Sequence, residues 1–233
     1  MTLKSIFGFA GTVVGLGLSL APIPTMIDII KNKSIGDYSP FPYAVTLVQN
    51  LMWVLYGRIT PNRDDIVIAN SLSAIVELSY CIIFWFYAKT SVKRRHLAWL
   101  HGGSVAFILI VVSFAKAVES GISVNTSLGI MASALNALMY GSPLAVLKVV
   151  IQTRSVRYMP FLLSFMTLMC AVIWFAWALV ANDVFVLIPN ILGLGLGIAQ
   201  MVVWFYYRRF GVPDNDDEII TESMMEEDVE LIE

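Results

Sequence analysis

Seven long apolar segments follow one another along the chain, separated by short polar stretches. They cover residues 6–30, 41–58, 66–88, 98–117, 127–150, 161–180 and 184–207. A helix that crosses a membrane needs about 20 mainly apolar residues, and only helices or closed barrels satisfy the backbone in lipid. The second segment is short and is interrupted by Gln49 and Asn50. The pattern predicts an all-α membrane protein with seven transmembrane helices.

The composition supports a membrane protein and excludes several functions. Of the 233 residues, 58% are hydrophobic and 14% are charged, whereas a soluble domain has about 25% charged residues. The net charge of −2 gives no basis for binding nucleic acid. The sequence contains no P-loop, nucleophile elbow or paired histidine and carboxylate motif. We therefore predict neither an enzyme nor a cofactor or metal site.

Positively charged residues are unevenly distributed among the predicted loops. The first, third and fifth loops and the start of the tail are rich in lysine and arginine, namely Lys31, Lys33, Lys89, Lys93, Arg94, Arg95, Arg154, Arg157, Arg208 and Arg209. Such residues mark cytoplasmic loops, so we expect the N-terminus outside and the C-terminus in the cytoplasm. Residues 208–233 become acidic and are predicted to form a disordered cytoplasmic tail.

The chain also repeats itself at a spacing of about 120 residues. The matched positions are Pro22 with Pro143, Ser34 with Ser155, Trp53 with Trp174, Tyr56 with Trp177, and Asn70 with Asn190. We therefore predict a three-helix repeat at residues 6–88, a linker helix at 97–118 and a second repeat at 126–207. A repeat of three helices followed by one linker helix re-enters the membrane from the same side. The two bundles are therefore expected to be parallel.

Asn70, Asn190, Trp53 and Trp174 are the candidate binding residues. Polar side chains within spanning helices usually face the interior of the bundle. An amide offers donors and acceptors for hydroxyl groups, and an indole can pack against the apolar face of a sugar ring. Interhelical hydrogen bonds and simple core packing are the alternative explanations. The equivalent placement of the pairs favours a binding site.

Prolines and one acid are further candidates. Pro22 and Pro143 lie within the first segment of each repeat, where a proline kinks a helix, whereas Pro42 and Pro160 stand where helices begin. Glu77 is an acid deep in a spanning segment and could couple transport to protons. Helix packing or a position near the interface would explain Glu77 equally well.

Several stretches resemble the SWEET family of sugar transporters. The first repeat contains APIPTMIDIIKNKS, FPYAVTLVQNLMWVLYG and IANSLSAIVE. The second contains GSPLAVLKVVIQTRSVRYMPF and WFAWALVANDVFVLIPN. The resemblance covers residues 6–207, and the combination of these segments is more specific than any one motif.

The resemblance implies a uniporter that moves sugars by alternating access, without an energy source. It implies that Asn70 and Asn190 bind the sugar and that Trp53 and Trp174 flank it. In transporters built from repeats, this family included, the substrate lies near the midplane between the repeats. The family's proline tetrad corresponds to Pro22, Pro42, Pro143 and Pro160. Its outer gate corresponds to Tyr56 and Asp183, and two further pocket positions correspond to Gln49 and Cys170.

The leading hypothesis is facilitative transport of a monosaccharide such as glucose, because Gln49 and Cys170 would narrow the cavity for a disaccharide. A proton-coupled sugar carrier that uses Glu77 is the alternative, and a non-transporting membrane scaffold acting through the tail is a third hypothesis. The expected partners are a sugar and membrane lipid, and a homo-oligomer remains open. The expected location is the plasma membrane, with a vacuolar or endosomal membrane as the alternative.

Overall fold

All regular structure in the described ranges is helical. The computed structural model describes residues 2–117 and 123–212. Its helices are α1 (Leu3–Leu20), α2 (Ile23–Asn32), α3 (Phe41–Ile59), α4 (Asp64–Tyr87), α5 (Ser91–Ala117), α6 (Val124–Met139), α7 (Gly141–Thr153), α8 (Phe161–Ala181) and α9 (Val184–Phe210). The predicted tail at 208–233 begins within α9, and residues 213–233 lie outside the described residues.

Six helical stretches within the described ranges are long and apolar enough to cross a membrane. Helices α1 and α2 together form one of them, Leu3–Asn32, and α6 and α7 form another, Val124–Thr153. The others lie in α4, α5, α8 and α9. Helix α3 is not among these six, although it coincides with the second predicted segment. The polar side chains of Gln49 and Asn50 lie within α3.

Each of two predicted helices is divided into two helices. The first division follows Leu20, and Pro22 is the residue that caps the start of α2. The second falls at Tyr140, three residues before Pro143 in the first turn of α7. Because proline lacks an N–H and clashes with the preceding turn, a helix bends or ends near it. The predicted linker helix at 97–118 corresponds to α5, which begins earlier, at Ser91.

Unusual backbone angles occur at equivalent places before and after α5. Lys33 ends α2 and Arg154 ends α7, with φ of 49° and 54°. Asn62 and Asn182 precede α4 and α9, with φ of 59° and 51°. A positive φ is uncommon for residues other than glycine. At Lys33, Arg154 and Asn182 it terminates a helix in a left-handed cap. Asn62 instead lies in the turn after α3, whose cap Thr60 is extended.

The helices before and after α5 make matching contacts. Helix α4 packs against α1 and α3, and α9 packs against α6 and α8. The two halves meet where α1 contacts α8 and where α3 contacts α6. Helix α5 lies outside this arrangement, against α3 and α6. The cavity described below lies between the two halves.

The buried side chains form three clusters, one at one end of the helices and two at the other. The largest cluster includes Trp53, Tyr56, Ile66, Trp177 and Val186, and it therefore draws on both halves. We call this height the Asp183 end, because α9 begins there. At the opposite end, which we call the Lys31 end, each half has its own cluster, one around Phe84 and the other around Val150. The halves therefore share a core only at the Asp183 end.

Candidate functional site

A cavity of about 370 Å³ lies between the two halves of the protein. This volume is within the range of pockets that bind small molecules. Helices α1, α3 and α4 line one side, and α6, α8 and α9 line the other, with one residue from α7. All six predicted binding residues line the cavity, namely Gln49, Trp53, Asn70, Cys170, Trp174 and Asn190.

Most lining residues occur as pairs about 120 residues apart. Besides the predicted pairs, the lining includes Thr46 with Thr167, Ile66 with Val186, Ser73 with Gly193, Leu18 with Met139, Gly15 with Asn136, and Ser19 with Tyr140. The two sides of the cavity are therefore built from matching positions. Their chemistry differs in places, as with the hydroxyl of Ser73 opposite the bare backbone of Gly193.

Asn70 and Asn190 are held in the same way. The Nδ2 of Asn70 donates to the carbonyl of Ile66 at 2.9 Å, and the Nδ2 of Asn190 donates to the carbonyl of Val186 at 2.7 Å. A backbone carbonyl can only accept, so these bonds fix which way each amide points. Each Oδ1 and one N–H per amide then remain available to a ligand in the cavity.

The two tryptophans also have matching neighbours. Trp53 packs edge-to-face on Tyr56 with ring centroids 5.6 Å apart, and Trp174 packs on Trp177 at the same separation. Gly11 allows the Trp174 indole to approach α1, because an added Cβ would lie 2.8 Å from that ring. Both indoles are thus fixed at the height where the shared core meets the cavity.

Two polar side chains of α3 lie next to each other in the wall. Gln49 is 6% exposed, and its Nε2 donates to the carbonyl of Ala132 at 3.3 Å. Its Oε1 and the Nδ2 of Asn50 are buried and have no hydrogen-bond partner among the described residues. The equivalent residues of α8 are Cys170 and Ala171, so unsatisfied amide groups are concentrated on one side of the cavity.

Pro189 in α9 is stabilised by side chains of the first helices of its own half. Because Pro189 has no N–H, the carbonyl of Phe185 lacks its usual helical donor. The Oγ of Ser133 in α6 donates to that carbonyl at 2.5 Å. The hydroxyl of Tyr140 donates to the carbonyl of Pro189 at 2.7 Å, and it lies so close to Gly193 that a Cβ there would be 2.5 Å away.

A polar network around Asp183 joins the two halves at the Asp183 end. Asp183 as a whole residue is 3% exposed, and its carboxylate accepts from the backbone N–H groups of Phe185 and Val186, so it caps α9. Tyr56 donates its hydroxyl to both carboxylate oxygens at 3.0 and 2.9 Å. Arg63 donates from Nε at 2.6 Å. The contacts of Tyr56 and Arg63 join the first half of the protein to the second.

A second, similar set of contacts lies at the same end. The Nε1 of Trp177 donates to the carboxylate of Asp65 at 3.1 Å, and Lys4 forms an ion pair with Asp65 at 3.6 Å. Trp177 is the counterpart of Tyr56, so each half sends one aromatic side chain to an acid of the other half. We use the name closing network for Lys4, Tyr56, Arg63, Asp65, Trp177 and Asp183.

Sequence reasoning missed three members of the closing network, Lys4, Arg63 and Asp65. In a count of loop charges, the positive charge of Arg63 and the negative charge of Asp65 cancel, so the count draws attention to neither residue. The spacing holds the missing signal, because Arg63 precedes Asp183 by the repeat distance of 120 residues. Asn50, Asn136 and Tyr140 line the cavity and were also missed.

The predicted gating residues occupy different places. Pro143 lines the cavity, whereas Pro22 caps the start of α2. Pro42 lies in the first turn of α3, and Pro160 caps the start of α8. Tyr56 and Asp183 belong to the closing network. Glu77 is 4% exposed and has one unpartnered oxygen among the described residues, but it does not line the cavity.

The fold and the cavity define a polytopic membrane protein with a central cavity of a size that suits a small molecule. The model of a family described as sugar efflux transporters for intercellular exchange matches residues 5–92 and 126–210. The chain is 36% identical over 210 residues to the bidirectional sugar transporter SWEET7 of Arabidopsis thaliana, covering 89% of this chain and 81% of that protein. It is 33% identical over 219 residues to SWEET5 of the same plant, covering 93% and 91%.

A solved structure of a eukaryotic SWEET transporter superimposes with a TM-score of 0.80 at 30% sequence identity. The match covers 89% of this chain and 100% of that one. The chain therefore belongs to the SWEET family of sugar transporters. This is a family of transporters and not of enzymes.

Proposed function

We propose that this protein is a facilitative uniporter that carries monosaccharides such as glucose across a membrane by alternating access. The observation that carries the proposal is the matched pair of amides, Asn70 and Asn190, on opposite sides of the central cavity. Each amide uses one N–H to bind its own helix and keeps a donor and an acceptor for the ligand. A sugar hydroxyl can both donate and accept, so it can pair with both groups.

The sugar binds with its ring between Trp53 and Trp174. The flat indole faces pack against the apolar C–H faces of the ring, while the amides satisfy its hydroxyl groups. A buried hydroxyl without a partner costs free energy, so this pairing is what allows a sugar to leave water. The relatives named above are bidirectional sugar transporters, which supports a sugar as the ligand here.

Alternating access requires that one end of the cavity closes while the other opens. The closing network joins the halves at the Asp183 end. At the Lys31 end the halves have separate cores, which supports a cavity open in that direction. Transport then requires the network to break and the Lys31 end to close, with bending at the breaks near Pro22 and Pro143. Pro42 and Pro160 stand at the helix starts facing that end.

The finer architecture belongs to the same proposal. Helices α1–α4 and α6–α9 form two parallel bundles, each with three membrane crossings, and α5 links them as a seventh. The N-terminus and the Asp183 end lie outside, and the Lys31 end lies in the cytoplasm, because lysine and arginine are concentrated in the loops at that end. The plasma membrane is the expected location.

Two wall residues favour a monosaccharide over a disaccharide. The side chains of Gln49 and Cys170 occupy equivalent positions on the two sides of the cavity. Gln49 is the larger of the two, and its unpaired Oε1 can accept from a further hydroxyl of the same ring. We therefore expect hexoses to be transported faster than sucrose.

The test is uptake of labelled glucose into proteoliposomes by Asn190→Ala and by a control on the same helix, Gly195→Ala. An added Cβ at Gly195 meets nothing within 4 Å, and this residue does not line the cavity. We expect Asn190→Ala to lower the initial rate about tenfold or more, because each unmade buried hydrogen bond costs about 1–3 kcal/mol. The control should transport at the wild-type rate.

Two results would contradict the proposal. Equal uptake rates for Asn190→Ala and Gly195→Ala would show that the Asn190 amide does not bind the sugar. Accumulation of sugar above the external concentration, lost in Glu77→Gln, would show proton-coupled transport in place of uniport.

A further inference from the structure

A second cavity opens on the side of the protein, between α3, α5 and α6. Its volume is about 330 Å³. Its walls are formed by Phe41, Val45, Val48, Gln49, Trp99, Leu100, Gly103, Ser104, Phe107 and Leu135. We call this cavity the lateral groove. It runs beside helices that cross the membrane, and its lining is almost entirely apolar, so its surroundings are lipid and not water.

The groove follows one face of each helix. On α5 the lining residues Trp99, Gly103 and Phe107 are four residues apart and therefore lie above one another. This stretch is about 12 Å long at 1.5 Å per residue. On α3 the face from Phe41 to Gln49 has the same length. Both helices begin at the Lys31 end, so the groove runs inward from that membrane surface.

A positive charge stands at the mouth of the groove. Arg95 lies one turn before Trp99 on the same face of α5, and it is exposed. It makes no ion pair or hydrogen bond with any residue in the described part of the chain. Its neighbours Lys93 and Arg94 instead donate to the carbonyls of Gly36 and Ala88. Trp99, which lines the groove, is 77% exposed, and indole side chains are enriched at membrane interfaces.

We infer that the lateral groove binds an anionic glycerophospholipid, with one acyl chain between α3 and α5 and its phosphate at Arg95. In the groove, the acyl chain contacts apolar side chains in place of other lipids. The positive charge of Arg95 favours a lipid with a negatively charged headgroup. A basic residue near the membrane surface attracts anionic lipid. The site is separate from the sugar cavity and has a different class of ligand.

A second copy of this chain fits the groove less well. Copies in one membrane share one orientation, so their basic residues lie at the same depth. A copy docked with its own α5 against this α5 would bring its Lys93, Arg94 and Arg95 close to those of the first. Like charges repel, whereas an anionic lipid neutralises them.

The lipid site adjoins the sugar site through a single side chain. Gln49 lines both cavities, and its Oε1 has no partner among the described residues. An acyl chain in the groove would confine the Gln49 side chain to the sugar side. Since an ordered side chain loses less entropy when a ligand binds, lipid occupancy should lower the Michaelis constant for sugar.

The chain offers a matched pair of variants to test this site. Gly102 and Gly103 are adjacent in α5, and an added Cβ meets nothing within 4 Å at either position. Only Gly103 lines the groove. Gly103→Leu therefore fills the groove, and Gly102→Leu adds the same side chain to another face of the same helix. Each protein is reconstituted with phosphatidylserine that carries a diazirine in one acyl chain, and labelled peptides are mapped after illumination.

We expect labelling of residues 41–49 and 99–107 in the wild type and in Gly102→Leu, and loss of most of it in Gly103→Leu. Arg95→Gln should reduce the preference for phosphatidylserine over phosphatidylcholine about fivefold. Equal labelling in the two glycine variants would overturn the site. A Michaelis constant unaffected by phosphatidylserine would overturn the link through Gln49.

Discussion

Asp183 has more hydrogen-bond partners than any other residue of the closing network. Its carboxylate caps α9, accepts from Tyr56 and pairs with Arg63, while its side chain is only 1% exposed. The ion pair between Lys4 and Asp65 is more accessible, with side chains 24% and 20% exposed. Water screens an exposed pair far more than a buried one. The ion pair between Arg63 and Asp183 is therefore the stronger of the two, although both lie at the same end of the cavity.

We expect Asp183→Asn to destabilise the protein much more than Lys4→Gln. Removing one partner of a buried pair costs about 3–5 kcal/mol, because Arg63 keeps a poorly solvated charge. An accessible pair contributes about 1 kcal/mol or less. Thermal unfolding in detergent compares the variants directly. A loss for Lys4→Gln equal to that for Asp183→Asn would show that burial of the Asp183 pair is unimportant.

Asn70, Asn190, Trp53 and Trp174 could be predicted as cavity residues because each is a polar or aromatic side chain in an apolar run with a counterpart about 120 residues away. Gln49 and Cys170 were predicted only from the resemblance to the family. Arg63 and Asp65 could not be recognised in this way. They lie in a loop and a first helical turn, where charged residues are ordinary. Their importance depends on which side chain of the other half reaches them, Asp183 for Arg63 and Trp177 for Asp65. That pairing is a property of the folded structure.

At the scale of elements, α9 depends on α6 to stabilise its proline. The Phe185 carbonyl has no helical donor because Pro189 lacks an N–H, and Ser133 supplies a hydroxyl in its place. This bond joins the first and third spans of the second half. The equivalent residue in α4 is Ala69, which keeps its N–H, so α4 does not need such a donor.

This arrangement predicts a coupled pair of substitutions. Ser133→Ala alone should reduce the free energy of unfolding by about 1 kcal/mol, since the part-buried carbonyl of Phe185 loses its donor. In a Pro189→Ala background the same change should cost much less, because the restored N–H can bond to Phe185. Thermal unfolding of the single and double variants measures this coupling. Strictly additive effects would show that the hydroxyl does not replace the missing N–H.

Hydrophobic patterning predicted where the helices lie but not how they are divided. Residues 6–30 and 127–150 read as unbroken apolar runs, yet the first is divided near Pro22 and the second at Tyr140. A proline disturbs the preceding turn of a helix, so each helix is interrupted just before its proline. Hydropathy measures only how apolar a segment is and therefore does not detect this interruption. Helix α3 is the opposite case. Its polar residues weaken the hydropathy signal because they face the cavity and the other half.

At the scale of the whole molecule, the two halves share one core at the Asp183 end and separate towards the Lys31 end. The spacing of about 120 residues predicted that the two halves match each other. In the structure, Asn70, Asn190, Trp53 and Trp174 all line one cavity. It could not predict which end is closed. Both conformations of a transporter arise from one sequence, and the difference lies in a few polar contacts and in the packing between halves.

Protection of Cys170 by sugar tests the central claim most directly. Cys170 lines the cavity and Cys81 does not, so in a Cys81→Ser background one thiol reports on the site. The measurement is the rate at which a small membrane-permeant reagent modifies Cys170, with the best-transported hexose or with its mirror-image sugar present. We predict that the transported hexose slows modification, that its enantiomer does not, and that Asn190→Ala abolishes the protection. Equal rates with the two sugars in the otherwise unsubstituted background would contradict a sugar site between the two asparagines.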